Sequence, residues 1–205
     1  MYAELHCHSN YSFQEGASSV EDLLVRARDL GYRALALTDH DNLCGAMHFA
    51  QVARTLEIQT ITGAEITLDD GSHLTLLAET QQGYSNLCNI ISYSYISGGR
   101  KNPAFDIKHL SEMAQGLILL TGCRQGQIPS LVTEGRHREA EDLLRQYLDW
   151  FGTANVFVEL QQNLVQGDVQ RNRQLIGLAR SLGAEVVATN NVHYHVPERH
   201  RLQDA

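Results

Sequence analysis

The 205-residue chain has few of the features that mark a specialised class of protein. Its 4 cysteines lie far apart without a CxxC pair, which excludes a disulfide scaffold and favours a reducing compartment. Proline is scarce, at 3 residues, and the composition excludes collagen and low-complexity disorder. The longest clean apolar runs, such as the four residues 117–120, fall far below the roughly 18 residues that span a bilayer. No membrane segment is therefore expected.

Positive charge is also scarce, because 16 Lys and Arg residues face 24 Asp and Glu residues and leave a net charge of −8. This balance argues against a domain that holds nucleic acid by itself. The N-terminus lacks the basic start and apolar stretch of a signal peptide, so we expect a cytoplasmic protein. Histidine, in contrast, is abundant, at 10 residues.

The hydrophobic pattern alternates between short apolar runs and amphipathic stretches. Residues 34–37 are apolar at every position, which predicts a buried strand, and Ser18-Ser19 before residues 20–30 predicts a capped helix. Further strands are predicted at 3–7, 58–62, 73–78, 117–121, 155–160 and 185–189, and further helices at 46–56, through 87–91, and at 106–115, 138–151 and 168–182. This order predicts one α/β domain over residues 1–205, with a parallel sheet or a closed barrel.

Histidine and carboxylate side chains gather at the C-terminal ends of the predicted strands, the edge at which α/β barrels build their active sites. His6 and His8 stand two residues apart in an extended segment, so both side chains leave the same face. Asp39 and His40 come after the second predicted strand, and Glu65 follows the third after a two-residue turn.

Three more residues complete this set of candidate ligands. Cys123 and His193 follow later strands, whereas His73 opens its strand and needs a reversal of the chain to reach the same edge. Each residue alone is also compatible with a structural histidine or a small buried cysteine. Because five or six strand ends each carry a His, Glu or Cys, the set predicts a shared site for Zn²⁺, Mn²⁺ or Fe²⁺.

Short motifs contain these candidate ligands: His6-Cys7-His8-Ser9, Thr38-Asp39-His40-Asp41, Gly63-Ala64-Glu65, the strand at His73, Thr121-Gly122-Cys123 and Asn190-Asn191-Val192-His193-Tyr194. They resemble the successive motifs of the PHP (polymerase and histidinol phosphatase) domain. The residues within these motifs are most similar to those of the N-terminal PHP domain of bacterial C-family DNA polymerase III alpha subunits, error-prone branch.

The resemblance implies a distorted (β/α)7 barrel with two to three divalent ions at the C-terminal ends of its strands. It assigns His6, His8, Glu65 and Asn191 to a first ion, Glu65, His73 and Cys123 to a second, and Glu15, His40 and His193 to a third. Two positions depart from the family pattern. Glu15 stands where members usually carry His or Asp, and Asn191 replaces an Asp of the active pattern. An amide oxygen carries no charge, so the first ion should bind more weakly.

Two residues are candidates for direct roles in catalysis. Asp39 is placed to orient a histidine ligand, with a helix cap as the alternative. Arg124, next to Cys123, is placed to bind a phosphate oxygen, with a solvated surface arginine as the alternative. We find no glycine-rich phosphate loop, nucleophile elbow or aromatic stacking platform in the sequence.

The resemblance implies a metal-dependent phosphoesterase within a DNA polymerase, with the DNA 3′ end as substrate, a 3′–5′ exonuclease activity, and polymerase domains C-terminal to this fragment. Two alternatives stay open. In the first, the domain binds metal for stability and braces the polymerase without catalysis, which Asn191 favours. In the second, it is a stand-alone phosphatase of the histidinol-phosphate type.

Overall fold

Strands follow one another around a barrel in the order of the chain, each paired with the next. A computed structural model describes residues 2–203, and within this range there are seven strands. They are β1 (Ala3–Glu4), β2 (Ala34–Leu37), β3 (Gln59–Thr67), β4 (His73–Ala78), β5 (Leu117–Leu120), β6 (Val156–Gln161) and β7 (Glu185–Thr189). All seven strands predicted along the chain are therefore present.

Helices connect most of these strands and cover the outside of the barrel. They are α1 (Val20–Asp29), α2 (Ala46–Leu56), α3 (Gln81–Gly98), α4 (Gln127–Thr133), α5 (His137–Phe151), α6 (Asp168–Leu182) and α7 (His200–Gln203). Within residues 2–203, no helix has the length and apolar character that crossing a membrane requires.

The strand directions bring the C-terminal end of β3 and the N-terminal end of β4 to the same edge of the barrel. β1, β2 and β3 run parallel, β4 is antiparallel to both β3 and β5, and β5, β6 and β7 run parallel again. Because β4 runs in reverse, its first residue, His73, pairs with Thr67 at the end of β3. The expected chain reversal at His73 is therefore confirmed.

Backbone contacts between the segments after β1 and β7 nearly close the barrel. Cys7 bridges Val192 in parallel, with the amide of His8 donating to Val192 O (2.8 Å) and the amide of Val192 donating to His6 O (2.9 Å). The buried Glu4 carboxylate accepts hydrogen bonds from the backbone (3.1 Å) and side chain (2.7 Å) of Asn190. The chain is thus the distorted α/β barrel that the sequence predicts.

Apolar side chains anchor the helices to the barrel on two sides. The larger cluster joins strands and helices through side chains such as Leu76, Leu87 and Leu144. A second cluster packs α1 and α2 against β2, with Leu24 and Phe49 fully buried. Burying this apolar surface, at roughly 25 cal/mol per Å², fixes the strands that carry the polar edge.

Two local predictions are wrong, and one helix was not predicted. β3 continues to Thr67 instead of ending at residue 62, so Glu65 lies inside the strand and not after a turn. Gly63 permits this continuation, because a Cβ there would lie 2.6 Å from the carbonyl oxygen of Leu76 on β4. The predicted helix at 106–115 is a 3-10 segment, Ile107–Met113, and α4 had no counterpart in the sequence analysis.

Candidate metal centre

His6 and His8 enter the centre from the extended segment that follows β1. Both side chains are fully buried, and their ring centroids lie 5.3 Å apart. The bridge from Cys7 to Val192 holds the backbone between them in an extended form, which turns the two rings toward the same face. The HxH spacing therefore brings two imidazoles together, as predicted.

Glu65 occupies the middle of the centre and is 3% exposed. Each of its two oxygens faces two imidazole rings. Oε1 lies 3.5 Å from His6 Nε2 and 3.4 Å from His73 Nδ1. Oε2 lies 3.4 Å from His8 Nε2 and 3.8 Å from His40 Nδ1. One carboxylate thus lies among four histidines contributed by three different segments of the chain.

Three buried atoms at this point have no hydrogen-bond partner among residues 2–203, namely His6 Nε2, Glu65 Oε1 and His73 Nδ1. Leaving buried polar atoms unpaired costs roughly 1–3 kcal/mol for each atom. A divalent cation would satisfy all three at once, because imidazole and carboxylate are its usual ligands. The residues present therefore fit a metal ion.

The donor atoms form two groups that share one carboxylate. In each group the candidate ligand atoms lie within 4.8 Å of one another: His6, His8 and Glu65 in one, and His40, Glu65 and His73 in the other. A carboxylate common to both groups is the arrangement that bridges a pair of ions. The geometry groups His40 with Glu65 and His73, whereas the family resemblance assigns it to the ion of Glu15 and His193.

Glu15 reaches the centre from the loop between β1 and α1. Its carboxylate oxygens lie 2.8 and 2.9 Å from Nδ1 of His40, whose Nε2 lies 2.8 Å from the hydroxyl of Thr67. Burial disfavours the charged form of His40, but the hydrogen bond to Glu15 and the charge of Glu65 prevail and raise its pKa to about 9. Negative charge therefore dominates this side of the centre.

Asn191 and His193, which follow β7, both lie beside His8. The Oδ1 atom of Asn191 is 3.1 Å from His8 Nε2, and the ring of His193 stacks on that of His8 with centroids 4.7 Å apart. His193 Nδ1 also lies 3.2 Å from the carbonyl oxygen of Glu15. The structure thus brings both residues to the edge where the sequence places them.

Cys123 and Arg124 follow β5 but differ in exposure. Cys123 is buried near Glu65, and burial together with that carboxylate raises the pKa of its thiol. Its sulfur accepts a hydrogen bond from the amide of Gln125 and lies outside the two groups of donor atoms. The side chain of Arg124 is exposed to solvent.

Asp39 acts on the centre through a serine and touches no histidine directly within residues 2–203. It is 1% exposed and accepts hydrogen bonds from the amide of Ser9 (2.7 Å) and the hydroxyl of Ser12 (2.7 Å). The same Ser12 hydroxyl lies 3.1 Å from His8 Nδ1. Asp39 therefore orients the ring of His8 through the hydroxyl of Ser12 and not by direct contact.

The sequence analysis missed Glu159, a fully buried residue on β6. Its Oε1 atom lies 2.7 Å from His6 Nδ1. The available signal was a single carboxylate within the otherwise apolar stretch Val156–Leu160 of a buried strand. A charge in that position requires a partner, since an unpaired buried carboxylate is strongly unfavourable.

Opposite charges set the protonation of this buried layer. Burial lowers the pKa of His6, but the nearby carboxylates of Glu159 and Glu65 outweigh burial and raise it well above its usual value. For Glu65, burial raises the pKa, but His6 and the other imidazoles prevail and hold it well below its usual range. The Glu65 carboxylate is therefore ionised at neutral pH.

Comparison with known proteins identifies close relatives of the whole chain. The error-prone DNA polymerase of Symbiobacterium thermophilum is 40% identical over 99% of this chain, and the DNA polymerase III subunit alpha of Treponema pallidum is also 40% identical over 99%. The chain spans only 20% and 18% of these two relatives, about a fifth of their length.

Solved structures share the fold at low sequence identity. A candidate metal-dependent phosphoesterase from Bifidobacterium adolescentis matches with a TM-score of 0.60 and 14% identity, covering 93% of this chain and 87% of that one. A lesion-specific endonuclease from Pyrococcus furiosus matches with a TM-score of 0.57 and 17% identity, covering 96% of this chain and 49% of that one.

A family match covers β2 to β6 of the barrel and most of the candidate ligands. The PHP domain family matches residues 4–163, more than three quarters of the 205-residue chain. The strand order and the placement of His6, His8, His40, Glu65 and His73 at one edge agree with this match. The chain therefore belongs to the PHP domain family.

Proposed function

We propose that this chain is the PHP domain of an error-prone polymerase of the DNA polymerase III alpha type, and that it hydrolyses phosphodiesters at DNA 3′ ends. The observation that carries the proposal is the Glu65 carboxylate shared by two groups of histidines, with buried donor atoms left unpaired. The polymerase names of its relatives supply the DNA substrate. The remaining domains of such a polymerase, C-terminal to residue 205, would be its partners in the cytoplasm.

The proposed ligands are the residues that surround Glu65. His6, His8 and Asn191 would hold one ion with Glu65, His73 and Cys123 a second with Glu65, and Glu15, His40 and His193 a third. Zn²⁺, Mn²⁺ and Fe²⁺ all suit this mixed set. When bound, such ions supply Lewis-acid activation of water and neutralise charge on a phosphodiester.

The protein's own side chains would orient the ligands and bind the substrate. Asp39 and Ser12 fix the ring of His8, so its Nε2 stays directed at Glu65. Arg124 is exposed on the loop after Cys123, where its planar guanidinium would bind a phosphate oxygen of the incoming strand. Few cationic side chains would then contact the DNA. This is consistent with a domain of net charge −8 that relies on metal ions and further domains to hold DNA.

The central experiment follows the shortening of a 5′-labelled single-stranded oligonucleotide by the chain reconstituted with Mn²⁺ or Zn²⁺. We expect stepwise shortening from the 3′ end that stops on chelation and returns when metal is restored. Release from a 5′-labelled end, or hydrolysis of small phosphomonoesters alone, would contradict the proposal. The second result would favour the small-molecule phosphatase.

An exposed aromatic residue beside the centre suggests how a base would be bound, although the sequence showed no stacking platform. Phe13 is 87% exposed, and its loop is fixed on both sides because Ser12 donates to Asp39 and Glu15 contacts His40. An aromatic ring held at this point offers a stacking surface for a nucleobase.

Replacing Phe13 by alanine is therefore expected to weaken cleavage of single-stranded DNA about 10-fold, chiefly through KM, since base stacking contributes roughly 1–3 kcal/mol. Hydrolysis of bis-p-nitrophenyl phosphate, which has no base, should be unchanged. Ile96→Ala is the matched control, because Ile96 is 82% exposed on α3, which carries none of the candidate ligands. Equal losses on both substrates would rule out stacking by Phe13.

A metal-stabilised domain without catalysis is the second candidate function. Asn191 favours it, because an uncharged amide lies 3.1 Å from His8 Nε2 where the active family pattern has a carboxylate. In that case chelation would lower the melting temperature, and no metal would give hydrolysis. Restoring the carboxylate distinguishes the two functions.

A further inference from the structure

The buried carboxylate of Glu159 lies on the opposite side of the His6 ring from Glu65. Glu159 contacts Nδ1 of that ring at 2.7 Å, and Glu65 faces Nε2 at 3.5 Å. We propose that Glu159 is a positioning residue that holds His6 with Nε2 directed into the metal centre. This inference rests on the proposed metal centre, not on the exonuclease activity.

Three donors converge on a single oxygen of Glu159. His6 Nδ1 and the side-chain amide of Gln161 lie 2.7 and 2.8 Å from Oε1, and the hydroxyl of Thr189 donates to the same atom. The amide and the hydroxyl both donate, so Oε1 is an acceptor and His6 carries its proton on Nδ1. The lone pair of the neutral ring is then on Nε2, the nitrogen that faces Glu65.

The opposite oxygen argues against a purely structural role. Oε2 of Glu159 is buried and has no hydrogen-bond partner within residues 2–203. An uncharged residue of the same size would fill this space without the cost of burying half a carboxylate. A negative charge is useful here if His6 must bind a cation. A carboxylate hydrogen-bonded to Nδ1 of an imidazole ring makes its Nε2 a stronger metal ligand.

His8 provides an internal contrast. Its Nδ1 lies 3.1 Å from the neutral hydroxyl of Ser12, so no carboxylate touches that ring on the side away from the centre. Glu159 therefore acts on His6 alone among the histidines around Glu65. Glu159 also accepts hydrogen bonds from the side chains of Gln161 on β6 and Thr189 on β7, so it ties the His6 ring to the barrel wall.

The test uses Glu159→Gln, which keeps the size and the acceptor oxygen but removes the charge, and Glu159→Leu, which removes both. Zinc affinity is measured by competition with a chelator, and the Nδ1 proton of His6 is followed by NMR in the zinc-loaded protein. We expect about 10-fold weaker zinc binding in the Gln variant and up to about 100-fold in the Leu variant. The His6 Nδ1 proton should shift upfield in the Gln variant.

Glu112→Gln is the control. Glu112 is exposed and lies in the 3-10 segment Ile107–Met113, which carries no candidate ligand. Glu159→Gln with unchanged zinc affinity and an unchanged Nδ1 resonance would overturn the inference, even if the metal-free protein melted at a lower temperature. If the Leu variant fails to fold, the isosteric Gln variant still decides. Wild-type protein that binds no zinc would overturn the metal centre and this inference together, whereas normal wild-type binding with an unaffected variant would overturn only the role of Glu159.

Discussion

Glu65→Gln is expected to remove bound metal and to lower phosphodiester hydrolysis more than about 1,000-fold, because the shared ligand of two ions loses its charge. Glu65 is the one residue common to both groups of donor atoms, and its oxygens face four imidazole rings. A neutral amide keeps the volume of the side chain, so the barrel should still fold. Loss of function would then reflect the lost ligand.

Metal content by mass spectrometry after dialysis and nucleotide release from DNA are the two measurements. Glu185→Gln is the matched control, since it also removes a carboxylate from a strand, but at the exposed start of β7. Glu65→Gln that retains both metal and activity would refute the assignment of this centre. Retained metal without activity would show that Glu65 serves chemistry more than binding.

Asn191→Asp is expected to tighten metal binding about 100-fold, or roughly 3 kcal/mol, because a carboxylate attracts a divalent cation more strongly than an amide does, even after desolvation. The substitution fits the backbone. Asn191 has a φ of 49°, a left-handed conformation that aspartate tolerates nearly as well as asparagine. Its Oδ1 already lies 3.1 Å from His8 Nε2, so the new charge would enter the first group of ligands.

The same variant distinguishes an enzyme from a structural domain. Increased nucleotide release together with tighter metal binding would show that the centre can hydrolyse phosphodiesters. Tighter binding and a higher melting temperature without hydrolysis would support the metal-stabilised brace. Asn89→Asp, at an exposed position on α3, is the control for added charge. An Asn191→Asp protein whose metal affinity equals that of the wild type would contradict the placement of Asn191 in the first group.

Several parts of the centre could be read from local sequence alone. The HxH spacing of His6 and His8 determines that both rings leave one face of an extended segment, whatever the fold. The apolar stretch at β2 predicts a buried strand, and Asp39 and His40 follow directly after it. Local periodicity therefore fixed the elements and the strand ends on which most candidate ligands lie.

Other features depend on contacts between distant segments. β3 extends through Gly63 and Ala64 because β4 pairs along it, and a glycine reads locally as a turn. Phe13 has no pattern that shows its exposure, which follows from the way its loop is held by Asp39 and His40. A sequence gives the residue types but not which of them a loop leaves in solvent.

By itself, the sequence determined an α/β domain with histidines, carboxylates and a cysteine at its strand ends, because hydrophobic period and residue chemistry are local properties. Only the tertiary structure decided that His40 groups with Glu65 and His73, that Asp39 acts through Ser12, and that Glu159 stands behind His6. These are relations between residues separated by up to 153 positions along the chain. They arise when closure of the barrel brings the segments after β1 and β7 together, which no local pattern encodes.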